Sequence, residues 1–78
     1  MKIKLIFLAR CEDIVGQREM TLDVDENTRV GDVFNYLVKN YPLLKLAHLT
    51  LNDKYAPSSA EKLKEGDTIY VFLPDGGG

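Results

Sequence analysis

Seventy-eight residues leave room for one domain with one small core, and 45% apolar residues suffice to fill it without staples. A single cysteine (Cys11) and a single histidine (His48) exclude an internal disulfide framework, a cysteine-rich zinc site and a multi-histidine metal site. A net charge of −2 with scattered basic residues gives no stripe for nucleic acid, and no apolar run reaches the roughly 18 residues of a membrane span.

Residues 2–9 alternate, with Ile3, Leu5 and Phe7 on one face and Lys2, Lys4, Ile6 and Leu8 on the other, which is a strand by period. The opening Met1-Lys2-Ile3-Lys4 has no small-residue cleavage site, so the expected location is the cytoplasm, a reducing compartment. Residues 10–17 hold charges and Gly16 and read as a turn. Residues 18–24 alternate again with Met20, Leu22 and Val24 inward, close enough to the first strand for a hairpin. Asp25-Glu26-Asn27 breaks the pattern. Val30, Val33, Phe34, Leu37, Val38 and Tyr41 then recur at helical spacing. Thr28 or Arg29 holds the cap position, Thr28 being chemically the better cap; Asp32 suits the positive end, and Pro42 stops the helix at Tyr41.

Residues 48–51 read as a short strand with Leu49 and Leu51. Asn52-Asp53 is a tight turn into a further short strand at Lys54-Tyr55, Pro57-Ser58-Ser59-Ala60-Glu61 a short helical turn, and Glu65-Gly66-Asp67 a turn. The last strand runs from Thr68 to Leu73 with Ile69 and Val71 inward and Tyr70 and Phe72 outward.

Strand, strand, helix, strand, short strand, strand is the order of an α+β, ubiquitin-like β-grasp. The expectation is a mixed sheet of about five strands with one main helix on one face and the last strand in the middle. The second face lacks a helix and would carry Ile6, Leu8, Tyr70 and Phe72 together. A contiguous apolar patch on a small domain usually marks a contact surface, against ordinary scattered exposure.

The expected domain spans 1–73, and 74–78 forms a flexible, reactive tail. A terminal Gly76-Gly77-Gly78 is also what a frayed end or an added linker looks like. Yet the end of a chain offers a free α-carboxylate, and without Cβ atoms the stalk enters a channel too narrow for other residues.

At this point the sequence resembles the small subunits of molybdopterin synthase. The resemblance rests on Phe7-Leu8-Ala9-Arg10 followed by Glu12-Asp13-Ile14-Val15-Gly16, a helix ending in Tyr41-Pro42 and Leu51-Asn52. Leu63-Lys64-Glu65-Gly66-Asp67 and the terminal Phe-Leu-Pro-Asp-Gly-Gly-Gly complete it. It covers essentially the whole chain; each motif is weak alone, and their order and spacing carry the likeness. The family often ends Phe-Pro-Pro-Val-Ser-Gly-Gly. Leu73, Asp75 and Gly76 depart from that pattern, while the length from Phe72 to the end is unchanged.

The resemblance implies a sulfur carrier, not an enzyme by itself. Gly78 would be adenylated by a separate ubiquitin-activating-type enzyme that uses ATP and Mg; this chain has no phosphate-binding loop of its own and binds no cofactor or metal tightly. A persulfide sulfur donor would convert Gly78 to a thiocarboxylate, with Gly76 and Gly77 as its flexible stalk. The customer would be the large catalytic subunit of molybdopterin synthase, and Leu8, Tyr55 and Phe72 the residues that bind it.

The same group of ubiquitin-like carriers serves thiamine, cysteine and thiolated-tRNA synthesis, and some relatives are joined to lysines of other proteins. A carrier for another pathway and a protein modifier therefore remain alternatives, as does an interaction module with an inert tail. No freestanding catalytic constellation is visible. Cys11 lacks an environment that would make it reactive, and His48 reads as a surface or edge residue. Glu12-Asp13 and the Asp23, Asp25, Glu26 group read as solvated turns, and the lysines as surface charge.

Overall fold

The computed structural model describes residues 1–53 and 56–74. Four strands form one sheet among them: β1 (Lys2–Phe7), β2 (Glu19–Asp23), β3 (His48–Leu51) and β4 (Thr68–Phe72), in the order β2-β1-β4-β3. β1 pairs antiparallel with β2, β4 antiparallel with β3, and β1 runs parallel to β4 with Ile6 opposite Tyr70 and Phe7 opposite Val71. The last strand is thus central, as the β-grasp order of elements implies. The expected fifth strand falls on Lys54 and Tyr55, outside the described residues.

The inward rows Ile3, Leu5, Phe7 and Ile69, Val71 are almost completely buried. The buried face of α2 (Val30–Asn40), carrying Val30, Val33 and Leu37, belongs to the same core. The outer rows are polar at one end and apolar at the other, so one face of the sheet is a core and the other a surface.

The segment expected as a turn is instead a short helix, α1 (Arg10–Val15). Its apolar residues Cys11, Ile14 and Val15 stand at i, i+3 and i+4, one face of a helix. Cys11 is fully buried, and Ile14 and Val15 pack against the core. Gly16 ends it at φ 89, donating its N–H to the Glu12 carbonyl at 2.8 Å, in a conformation that L side chains resist.

Arg29, not Thr28, is the N-cap of α2. The Thr28 hydroxyl donates to Asp25 Oδ1 at 3.2 Å, in the turn that also takes the Asn27 N–H, so it is turned away from the helix. The cap is completed backwards: Asp32 Oδ2 accepts the Arg29 backbone N–H at 2.9 Å. The first free N–H groups of the helix are taken by the loop before β4, Val30 donating to the Glu61 carbonyl and Gly31 to that of Ser59. A Cβ on Gly31 would sit 3.1 Å from the Ser59 oxygen, so glycine permits this approach. The expected helical turn at 57–61 is a single hydrogen-bonded turn, with Glu61 N–H donating to the Ser58 carbonyl. Asp32→Ala is expected to destabilise the fold by about 1 kcal/mol through loss of the cap, read as a lowered urea midpoint with unchanged slope.

Pro42 stops α2 as expected and opens a 3₁₀ helix, Pro42–Leu46, which the sequence pattern did not indicate. Leu44 points into the core from it and is fully buried, while Leu43 and Leu46 are exposed.

Candidate functional site

β1 and β4 carry the outer apolar row in register. Ile6 and Tyr70 are opposite one another in the parallel pair, and Thr50 lies beyond Tyr70 on β3. One step further along, the Leu8 N–H donates to the Val71 carbonyl at 3.0 Å, extending the pairing past the end of β1. Leu8 and Phe72 therefore flank the central seam, Phe72 two residues before Pro74, the last described residue. Leu8 is 37% exposed; Ile6, Tyr70 and Phe72 are half-buried. After Leu8 the chain bends sharply through Ala9 (φ 49, ψ −121) into α1, so the backbone that presents Leu8 is held in a conformation that disfavours a Cβ.

His48 belongs to this face. It lies opposite Phe72 in the antiparallel pair, on the edge strand, with the ring centroids 5.7 Å apart and tilted by 49°. The alternation that turns Leu49 and Leu51 inward already turns His48 outward; the register against β4, which makes it Phe72's neighbour, was not legible. At the far end of the same face Lys4 and Glu19 form an exposed ion pair at 3.4 Å, a charged border to the apolar patch.

Leu8 and Phe72 are thus brought to one face. Tyr55, Gly76, Gly77 and Gly78 lie outside the described residues. β4 ends at Phe72, Leu73 is half-buried against the core and Pro74 is exposed.

Cys11 faces the core rather than this patch. Burial pushes its thiol above the ordinary value, only partly opposed by the charge of Arg10, so it stays protonated at neutral pH. Among the described residues no group of His, Cys, Asp and Glu is arranged to hold a metal ion, and no helix is long and apolar enough to cross a membrane. Glu12 lies 3.9 Å from Arg18 across exposed surface, and Asp25 organises its own turn, which accounts for both acidic groups in structural terms.

A mixed sheet in the order β2-β1-β4-β3, with β1 and β4 parallel at its centre and one long helix on its inner face, defines a ubiquitin-like β-grasp protein. The chain belongs to the ThiS family, which its residues 5–78 match. It is similar over its full length to two molybdopterin synthase sulfur carrier subunits. It is 28% identical over 83 residues to that of Chlamydomonas reinhardtii, covering all of both chains. It is 30% identical over 83 residues to that of Caenorhabditis elegans, covering all of this chain and 99% of that one.

Among solved structures it resembles a Pyrococcus furiosus protein named for subunit 1 of molybdopterin converting factor. The TM-score is 0.84 and the identity 26%, over 96% of this chain and 99% of that one. The fold is also that of a chain in the complex of subunits 1 and 2 of molybdopterin-converting factor from Helicobacter pylori (TM-score 0.69, 19% identity, all of both chains). Small archaeal modifier protein 1 of Haloferax volcanii shares it as well (TM-score 0.78, 23% identity, 95% of this chain and 98% of that one).

Proposed function

We propose that this chain is the sulfur carrier of a molybdopterin synthase and that its reactive group is the Gly78 carboxylate. The observation that carries the reading is that the family match runs from the sheet through to Gly78. A carboxylate is a poor electrophile because its leaving group would be oxide. Attack of its oxygen on the α-phosphorus of ATP, on a separate ubiquitin-activating-type enzyme with Mg, expels pyrophosphate and gives an acyl adenylate. The outer sulfur of a persulfide then attacks the acyl carbon and AMP leaves. A second thiol cleaves the resulting acyl disulfide, releasing a thiocarboxylate at Gly78 and leaving a disulfide on the donor.

The thiocarboxylate is ionised and nucleophilic at neutral pH. Gly76 and Gly77 form the stalk that delivers it, with 1–73 as the folded handle and 74–78 as the tail. The large catalytic subunit of the synthase supplies the acid-base groups and binds the acceptor, and this chain is its non-catalytic partner in the cytoplasm. Leu8 and Phe72, together with Tyr55, are the residues that bind that subunit.

An aromatic anchor of this kind dominates an interface once it is desolvated. Phe72→Ala is expected to weaken binding to the large subunit by about 2 kcal/mol, with little change in thermal midpoint. Calorimetric titration of the large subunit checks this, and an unchanged affinity contradicts it.

The whole reading is tested by mixing the thiocarboxylated chain with the large subunit and a dithiolene precursor. Sulfur incorporation that requires both proteins is the expected result. Sulfur passing instead to tRNA, cysteine or thiamine precursors would reassign the customer. Isopeptide adducts on protein lysines would identify a modifier.

A further inference from the structure

Phe72 is the last residue of β4, on the outer face of the sheet. Toward β1 the outer row continues with Leu8, whose N–H donates to the Val71 carbonyl. Toward β3 it continues with His48, the antiparallel partner of Phe72. β3 is the last strand of the described sheet on that side, so His48 stands between Phe72 and the open edge. His48 is exposed, while the Phe72 that it touches is half-buried. The ring centroids are 5.7 Å apart and the planes tilted by 49°, within the range of an attractive aromatic pair. Among the described residues the imidazole enters no hydrogen bond and no ion pair; what it touches is the Phe72 ring.

We infer that His48 is a positioning residue for the Phe72 anchor. Its imidazole closes the edge side of the Phe72 ring and holds that ring, before any partner arrives, in the orientation that the large subunit binds. The inference rests on the function proposed above, in which Phe72 binds that subunit. A half-buried phenylalanine at the end of a strand has more than one staggered rotamer open to it. A ring packed against its edge side narrows the choice, and a side chain fixed beforehand loses less freedom on binding. The pair also has the form of a binding hot spot: an aromatic anchor beside a polar group at the rim, which keeps water from the anchor without carrying the affinity itself. The competing account is an ordinary cross-strand pair, which adds a little to the stability of the sheet and nothing to binding. The two accounts differ in which quantity the loss of the imidazole moves.

The test titrates the large subunit encoded in the same genome with the full-length chain and with His48→Ala, His48→Phe, Phe72→Ala and the double variant His48→Ala/Phe72→Ala. Urea unfolding gives the stability of each, and carbon-13 spectra of the phenylalanine-labelled chain follow the Phe72 ring without the partner. His48→Ala is expected to raise Kd for the large subunit by about three- to tenfold, with an unfolding midpoint near that of the wild type. It is also expected to shift the Phe72 ring resonances of the free chain. His48→Phe supplies a ring with no nitrogen, and is expected to bring Kd back to within about twofold of the wild type. In the Phe72→Ala background, His48→Ala is expected to add nothing further. Wild-type affinity in His48→Ala, with Phe72→Ala still weakened, overturns the positioning role and leaves the functional reading standing. A His48→Ala defect that persists in full without Phe72, or that His48→Phe does not rescue, also overturns it, because the imidazole would then meet the partner directly. Failure of the wild-type chain to bind the large subunit at all overturns the functional reading, and this inference with it.

Discussion

Phe7→Ala is expected to lower the unfolding free energy by about 3–5 kcal/mol, the cost of removing a large aromatic ring from a packed core. Phe7 is fully buried at the end of β1, opposite Val71 on the central strand, and its N–H donates to the Arg18 carbonyl at 2.8 Å. β2, α1 and β4 all meet β1 near that ring, so none can move in to fill the cavity without giving up its own pairing. A domain of this size holds about 4–12 kcal/mol in all, so the variant should melt roughly 15–30 °C lower or be partly unfolded at room temperature. Urea unfolding followed by circular dichroism reads this directly. Phe72, on the other face of the same sheet, is the internal comparison: its loss should cost binding and little stability. A Phe72→Ala variant less stable than Phe7→Ala would mean that the facing of the strands is wrong.

Removing Gly77 and Gly78 is expected to leave stability within about 0.5 kcal/mol of the parent and to abolish sulfur transfer. The structural half follows from the core, which is built from residues well before Gly77: β4 ends at Phe72, Leu73 is half-buried and Pro74 is exposed. The functional half follows from reach. The shortened chain still ends in an α-carboxylate, but about 7 Å short of its place. A misplacement of about 1 Å costs a reacting group on the order of a hundredfold, so transfer should fall by more than that. Single-turnover sulfur transfer to the synthase measures the loss. Undiminished transfer would leave Gly77 and Gly78 with no role and contradict Gly78 as the carrier.

Much of this fold is legible because period-two alternation is a strong signal wherever one face of a sheet is dry. Ile3, Leu5, Phe7 and Ile69, Val71 announce the core, and the same alternation turns Leu8 and Phe72 outward. The helix over Val30–Asn40 is equally plain from its apolar spacing. What escaped was short or set by neighbours. α1 has only six residues, and Arg10, Glu12 and Asp13 mask the Cys11, Ile14, Val15 face that gives it away; Gly16 ends a helix rather than making a turn. The five-residue 3₁₀ helix buries one side chain, Leu44, too few to leave a period. Thr28 has the better capping chemistry but spends its hydroxyl on Asp25, and the loop 59–61 supplies the carbonyls that hold the helix start. His48 joins the site only through the pairing of β3 with β4, which depends on residues far apart in the chain.

The central claim concerns one functional group, so the most direct measurement is the mass of the C-terminal peptide. The chain, as a Cys11→Ala variant, is incubated with ATP, Mg, a sulfur donor and the activating enzyme from the same source, with an electrophile that captures thioacids. The isolated peptide is the species to weigh, because methionine oxidation and exchange of oxygen for sulfur change an intact mass almost equally. The account predicts a captured thiocarboxylate on Gly78 that is lost when Gly78 is deleted. An unmodified Gly78, with neither adenylate nor thioacid formed by an enzyme shown to be active on another carrier, would contradict it.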